Sequence, residues 1–336
     1  MPPEEAREAF RLGKDARDWQ VQLAQEDIRR SGPSQDRVVP ILYRPFDVRY
    51  TYYTGHSRGF LCMPRPEVMG NIMAGPNVAL VTSRMTKGED FHHVQVTQHI
   101  VEVICMSPKT SNNGFVFPLY LYDSTGSSAG LLSGEGEQVA RRRPNIDAHF
   151  MAQLADRFGK DATPENVFAY VYAILESVTY AKRYVEFLRA DFPRIPFIKD
   201  RDIFLKLADL GQQLIDLYLM RSPELDDSIS RFCGKGDGVV RKVEYDADRG
   251  RVSINPTQYF DGVTPDLWSY QIGGYQVLAK WLKDRKGRFL TSADTQHYSR
   301  VVTALSGTIA VQLLIDNSLE DAGIWSRSVV GQAVVQ

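Results

Sequence analysis

Between Val38 and Tyr122 the apolar positions come in short runs, VVPILY, VRYTYY, NVALVTSR, HVQVTQHIVEVICM and FVFPLYLY, rich in β-branched and aromatic residues. Gly, Pro and Asn cluster between the runs, which predicts strands joined by turns. Before them, residues 3–30 have few apolar anchors, Ala6, Phe10, Trp19, Leu23 and Ile28 chief among them, between many charges. That pattern predicts one or two polar helices leaning on other structure, and the breakers SGPSQDR, Ser31 to Arg37, end them. After Pro144 the period becomes helical, at Val167, Val171, Ile174, Tyr184, Phe187 and Leu188, behind the start signal Thr163-Pro164-Glu165. A second helix carries Phe204, Leu207, Leu210, Leu214 and Leu217 at three-and-four spacing, and Pro193 and Pro196 make the connector before it extended.

The last third opens with a predicted hairpin, in which Val243 and Tyr245 face Val252 and Ile254 across a turn at Asp246 to Gly250. Helices follow at Val277 to Lys283 and at Asp294 to Ile315, the latter carrying Val301, Leu305, Ile309 and Leu313. Small polar residues from Asp123 to Pro144, ending in the basic triplet Arg141 to Arg143, read as an exposed linker. The expected class is α+β: a helical lead-in and linker over 1–37, a β-rich lobe over 38–143, a helical lobe over 144–225, and a hairpin plus helices over 226–336.

Within the first strands, ILYRPFDVRYTYY interleaves Arg44, Asp47 and Arg49 with Tyr43, Phe46, Val48 and Tyr50. Charged forks beside rings suit planar polar ligands such as bases and phosphates. The plainer reading puts the rings in a core and pairs Arg44 with Asp47. A second basic stretch, KWLKDRKGR from Lys280 to Arg288, sets five basic residues against Asp284, with Trp281 and Phe289 beside them. It is either a phosphate-neutralising surface or a solvated helix end.

Composition narrows the partners. The 40 Lys+Arg against 41 Asp+Glu give a formal net charge of -1, so nucleic-acid binding has to come from local patches rather than whole-chain attraction. Cys62, Cys105 and Cys233 lie far apart without a C-x-x-C pair, which fits a reducing cytoplasm. The charged N-terminus lacks the apolar core of a signal peptide and no run reads as a membrane span, so a soluble, cytoplasmic protein is expected.

Catalytic motifs are hard to find. Gly234-Lys235-Gly236 lacks phosphate-loop spacing, and Gly273-Gly274 stands alone without a dinucleotide fingerprint. The segment Asn255 to Phe260, NPTQYF, resembles the adenine-methyltransferase motif but lacks its second proline and places the aromatic late. His92, His93 and His99, near Glu102 and Cys105, lack the tight pairing of zinc ligands. Neither a nuclease-type carboxylate cluster at Glu165, Glu176 and Glu186 nor a G-x-S-x-G serine is indicated, so neither catalytic nor metal residues are expected.

Taken together, ILYRPFDVRYTYYTG, RPEVMGNIM, DFHHVQVTQHIVE, FPLYLY, FAYVYAILESVTYAKRYVEFLRADFPRIPF, LADLGQQLIDLYL and IGGYQVLAKWLKDRKGR resemble the C-terminal specificity region of type ISP restriction-modification enzymes, in order from about Asp15 to Ile315. The resemblance implies a target recognition domain: 1–37 would be the end of the coupling helices and 38–143 the recognition lobe. It would read a short sequence in double-stranded DNA and present it to an adenine-N6 methyltransferase and a nuclease carried elsewhere. S-adenosylmethionine, ATP and Mg would belong to those other domains, and the methyltransferase domain, in the same or a companion chain, would be a partner.

On that reading Arg44 and Asp47 form a buried structural pair. The expected DNA-binding residues are Arg49, Tyr52, Tyr53, Arg58, Arg84, Lys87, Lys283, Arg285, Lys286 and Arg288, gathered on one concave basic face, with Arg285 on phosphate and Arg84 on a base edge. Two other readings remain open, an autonomous or fragmentary adenine methyltransferase using INPTQYF and a docking scaffold that touches DNA little.

Overall fold

The computed structural model describes residues 1–123 and 141–324. Two short helices lead in, α1 (Pro3–Ala9) and α2 (Val21–Ser31). The strands β1 (Val38–Arg44) and β2 (Asp47–Tyr52) then form an antiparallel hairpin closed at Pro45-Phe46, with Phe46 in the left-handed region at φ 57. Next come α3 (Pro66–Met73), β3 (Ala79–Ser83), β4 (Val94–Thr97), β5 (Ile100–Val101), β6 (Gly114–Pro118), β7 (Tyr120–Tyr122) and β8 (Arg142–Pro144). They build three small sheets, in the orders β2-β1-β5, β4-β3-β6 and β7-β8. Most of the expected linker, residues 124–140, lies outside the described residues, but Arg142 and Arg143 pair with β7 as a strand rather than extending an exposed loop. The Arg142 guanidinium covers the Tyr120 ring at 3.9 Å.

The helical part contains α4 (Ala148–Phe158), α5 (Pro164–Glu176), α6 (Val178–Arg183), α7 (Val185–Leu188) and α8 (Arg201–Tyr218). Thr163 caps α5 by accepting the Asn166 N–H, and Pro164 starts it where a missing N–H costs nothing. The helical period of the sequence runs on through Leu188, yet the chain breaks at Ser177, whose hydroxyl accepts the Tyr180 N–H and begins α6. α5 and α8 cross closely because Gly211 leaves room for the Ala169 carbonyl, into which a β-carbon would run.

The last third is a four-stranded antiparallel sheet in the order β10-β11-β12-β9, from β9 (Arg231–Cys233), β10 (Glu244–Asp246), β11 (Arg251–Ser253) and β12 (Tyr259–Asp261). Tyr245 faces Val252 in register, as the alternation predicts. After α9 (Pro265–Ser269), a two-stranded hairpin of β13 (Gln271–Ile272) and β14 (Tyr275–Gln276) leads into α10 (Val277–Lys283) and α11 (Ser292–Asp321). A capping box of Thr291 and Asp294 starts α11. This helix corrects one expectation: at 30 residues it is long and apolar enough to cross a membrane, but half of its apolar window is buried within the fold, as in a core helix.

The largest buried cluster runs from Phe46 and Val96 through Tyr170, Phe204 and Leu207 to Phe260, Trp281, Leu305 and Ile315, and a smaller one joins Ile41, Tyr53, Met69, Ile72, Ala79 and Ile100. The architecture is α+β, as the alternating and helical periods predict.

Candidate nucleic-acid interface

The two stretches singled out by their charge and rings meet in space. Asp47, at the start of β2 and only 1% exposed, accepts from Arg49 Nη2 at 2.8 Å and from Arg285 Nη2 at 2.9 Å. Burial works against the Asp47 charge, but hydrogen bonds from Arg285 and then Arg49 overcome it and hold the carboxyl below its ordinary range. Rings brace both cations: Arg285 lies 3.4 Å over Trp281, and Arg49 lies 3.7 Å over Tyr43. Asp284 adds a contact to Arg49 at 3.7 Å and accepts from Lys280 at 2.6 Å. His297 donates from Nε2 to the Phe46 carbonyl at 2.8 Å, fixing the hairpin tip against α11.

The expected Arg44–Asp47 ion pair is not formed. The two are cross-strand partners and both are buried, but Arg44 pairs with Glu102 at 2.6 Å instead. A parallel β5 brings Glu102 alongside β1, and the Glu102 N–H donates to the Leu42 carbonyl, so the carboxylate is held in reach of Arg44. Arg44 also covers Tyr43 at 3.9 Å. Sequence distance hid this partner, and Asp284 was likewise missed because the basic run made it look like a minority charge.

Beyond this buried lattice the end of α10 and the loop after it, residues 283–288, present Lys283, Lys286 and Arg288 to solvent, with no side-chain ion pair to any of them among the described residues. Backbone bonds hold the loop in place: Gly287 N–H donates to Val240 O at 2.7 Å, Val240 N–H to Arg288 O at 3.0 Å, and Leu290 N–H to Gly238 O at 2.9 Å. Phe289, 61% exposed, follows Arg288 directly and packs beside Gly238. The same backbone bonds tie in the loop that carries exposed Lys235, a cation the sequence reading left unassigned.

The other expected residues lie elsewhere. Tyr53 is 9% exposed, with its hydroxyl donating to Pro64 O at 3.0 Å, and Tyr52 donates to Gly32 O at 2.6 Å, so both anchor the hairpin's far end to its surroundings. That end is about 16 Å along β2 from Asp47. Arg58 is exposed on the neighbouring loop at φ 54. Buried Asp27 of α2 organises this loop, accepting from Thr54 Oγ1 at 2.7 Å, His56 Nδ1 at 2.9 Å and Phe60 N–H at 2.9 Å. Arg84 donates to Asp191 at 3.1 Å, and Lys87 is exposed beside it on the β3–β4 connection. Among the described residues no hydrogen bond or ion pair joins Arg58, Arg84 or Lys87 to the 283–288 loop.

The motif-like segments resolve into packing. Asn255 Oδ1 accepts from the Thr257 and Gln258 N–H groups, and its Nδ2 donates to Val239 O and Gln258 Oε1. With its amide so committed and 5% exposed, it forms a buried turn rather than a clamp for a flipped base. Gly234, at φ 93, packs where a β-carbon would overlap the Thr257 carbonyl, so the glycines serve close contact and not a phosphate. His93 bonds Glu89 at 2.9 Å, Cys105 accepts from Gln95 at 3.5 Å, and Glu102 serves Arg44. Among the described residues no three His, Cys, Asp or Glu side chains gather as a metal site.

Similar folds occur among solved structures. The ATP-dependent Type ISP restriction-modification enzyme LlaBIII bound to DNA aligns with a TM-score of 0.65 at 18% identity, over 90% of this chain and 20% of that one. A DrdV–DNA complex aligns at 0.60 and 21% identity, over 86% and 28%. A nuclease-deletion mutant of the Type ISP restriction-modification enzyme LlaGI with a DNA substrate mimic aligns at 0.59 and 17%, over 95% and 27%. The chain thus spans between a fifth and under a third of those chains. No curated protein sequence matches it. The sequence profile of the Type ISP C-terminal specificity domain matches residues 1–309, and the chain belongs to that family.

Proposed function

We propose that this chain reads a short sequence in double-stranded DNA and positions the duplex for adenine-N6 methylation and for cleavage performed by other domains of a longer enzyme. Those domains would bind S-adenosylmethionine, ATP and Mg, and the methyltransferase domain would be this chain's immediate partner. The observation that carries the reading is the pinned loop with Lys283, Lys286 and Arg288 unopposed at its surface. Three cations on a rigid support neutralise phosphates and fix register, while sequence is read by other side chains at base edges. The LlaBIII, DrdV and LlaGI structures each contain DNA or a DNA substrate mimic.

Arg49 and Arg285 hold the loop to the hairpin, so in this reading they shape the DNA-facing surface rather than touch phosphate. Arg58, Arg84 and Lys87 are the remaining exposed cations assigned to DNA, and Arg84 is the base-edge residue. Replacing Lys283, Lys286 and Arg288 together by Ala should weaken duplex binding on the order of 10- to 100-fold and flatten the slope of log affinity against log salt by roughly 2.7. Binding and salt slope equal to those of the unaltered chain would instead favour a scaffold that touches DNA little.

A further inference from the structure

A cavity of about 190 Å³ opens between the β4 approach, the α5–α6 junction, the segment entering β13, and α11. Phe91, Leu175 and Ile272 give it an apolar wall, and its polar end is built from Glu176, Gln312 and Tyr270. Gln312 Nε2 donates both to Glu176 Oε2 at 2.8 Å and to the Tyr270 hydroxyl at 3.0 Å. This spends the amide's N–H groups, and among the described residues its oxygen accepts no hydrogen bond. The polar end therefore offers the Glu176 carboxylate and the Gln312 oxygen as acceptors, against the one O–H that Tyr270 keeps to donate. No Lys, Arg or His nitrogen comes within 4.0 Å of the Glu176 carboxylate among the described residues. Lys182 and Asp90, both exposed, also line the cavity, Lys182 beyond that distance, and desolvation lowers the pKa of His92 although that residue is open to solvent.

We propose that this cavity binds a small amphipathic cation, a protonated primary amine on an apolar body about the size of one benzene ring. The ammonium supplies three donors to an end that offers carboxylate and amide oxygens and lacks a counter-ion. Size follows from volume, since an apolar cavity of roughly 150 Å³ admits benzene. Burial pushes the Glu176 carboxyl up to about 7 against the hydrogen bonds from Gln312 and Tyr172, as expected for an acid awaiting a cation. Asp90, His92, Lys182, Tyr172 and Tyr270 are the titratable groups around it. Because the walls come from both strand and helix segments, an occupant would brace their junction.

Titrating the full chain with benzylamine and with its uncharged counterpart benzyl alcohol, by thermal shift and by methyl chemical shifts of Val94 and Ile272, tests the assignment. Benzylamine should saturate with a Kd at least tenfold below that of the alcohol at pH 8. Glu176→Gln should erase that preference, and Ala181→Leu, which fills the cavity, should weaken both probes. Equal affinities, no binding of either probe, or affinities that Ala181→Leu leaves unchanged would overturn the proposal, even if Glu176→Gln fails to fold.

Discussion

Asp47 shows how much one buried charge decides. Its carboxylate is shared by the guanidiniums of Arg49, two residues away, and Arg285, 238 residues away, so it links the first hairpin to the basic loop. Neutralising it in Asp47→Asn leaves Arg49 and Arg285 only their longer contacts to Asp284 at 3.7 Å and Asp294 at 3.9 Å, and the fold should lose about 3 kcal/mol in urea unfolding. A loss within about 0.5 kcal/mol, typical of an exposed pair, would show that the lattice is not structural. Asp27 makes a pH-dependent counterpart. Burial opposes its charge, but the Phe60 N–H, Thr54 and His56 bonds outweigh it and bring the carboxyl down to about 2. A depressed folded-state pKa stabilises above the unfolded value near 3.8, and that contribution disappears as pH falls from there through about 2. Stability measured from pH 5 to pH 2 should therefore drop more steeply in the unaltered chain than in Asp27→Asn. Parallel curves for the two would contradict the assignment.

At the scale of elements, the α5–α8 crossing rests on Gly211. Gly211→Ala favours helix intrinsically by up to about 1 kcal/mol, yet should destabilise by about 1–3 kcal/mol because the β-carbon collides with the Ala169 carbonyl. A thermal midpoint at or above that of the unaltered chain would mean the helices separate freely. Most elements were legible from period alone: the β1–β2 strands, the α8 stripe and the Tyr245–Val252 pairing stand as read, although β2 buries Asp47 and leaves Val48 and Tyr50 exposed, the reverse of rings filling a core. The breaks were less legible. Ser177 interrupts an apolar helical run because its hydroxyl caps α6 and donates to Asp316 of α11, a partner 139 residues away. α4 was overlooked since only Phe150, Leu154 and Phe158 mark its stripe among polar residues. For the interface, the two charged stretches could be read locally, but which cations face water could not. Arg285 and Lys286 are adjacent and chemically alike, and only the position of Asp47 makes one a brace and leaves the other exposed.

For the molecule as a whole, near-zero net charge and a continuous core argue for binding through a shaped patch on a rigid body. Phosphate contacts by the 283–288 loop would give affinity for any duplex, so affinity alone does not establish a specificity domain. Sequence preference does. The decisive measurement is selection by the full chain from a pool of randomised duplexes at near-physiological salt. Enrichment of one short defined sequence, bound at least 10³-fold above the unselected pool, is the predicted result. A pool that stays random while duplexes are still bound would contradict a target-reading role.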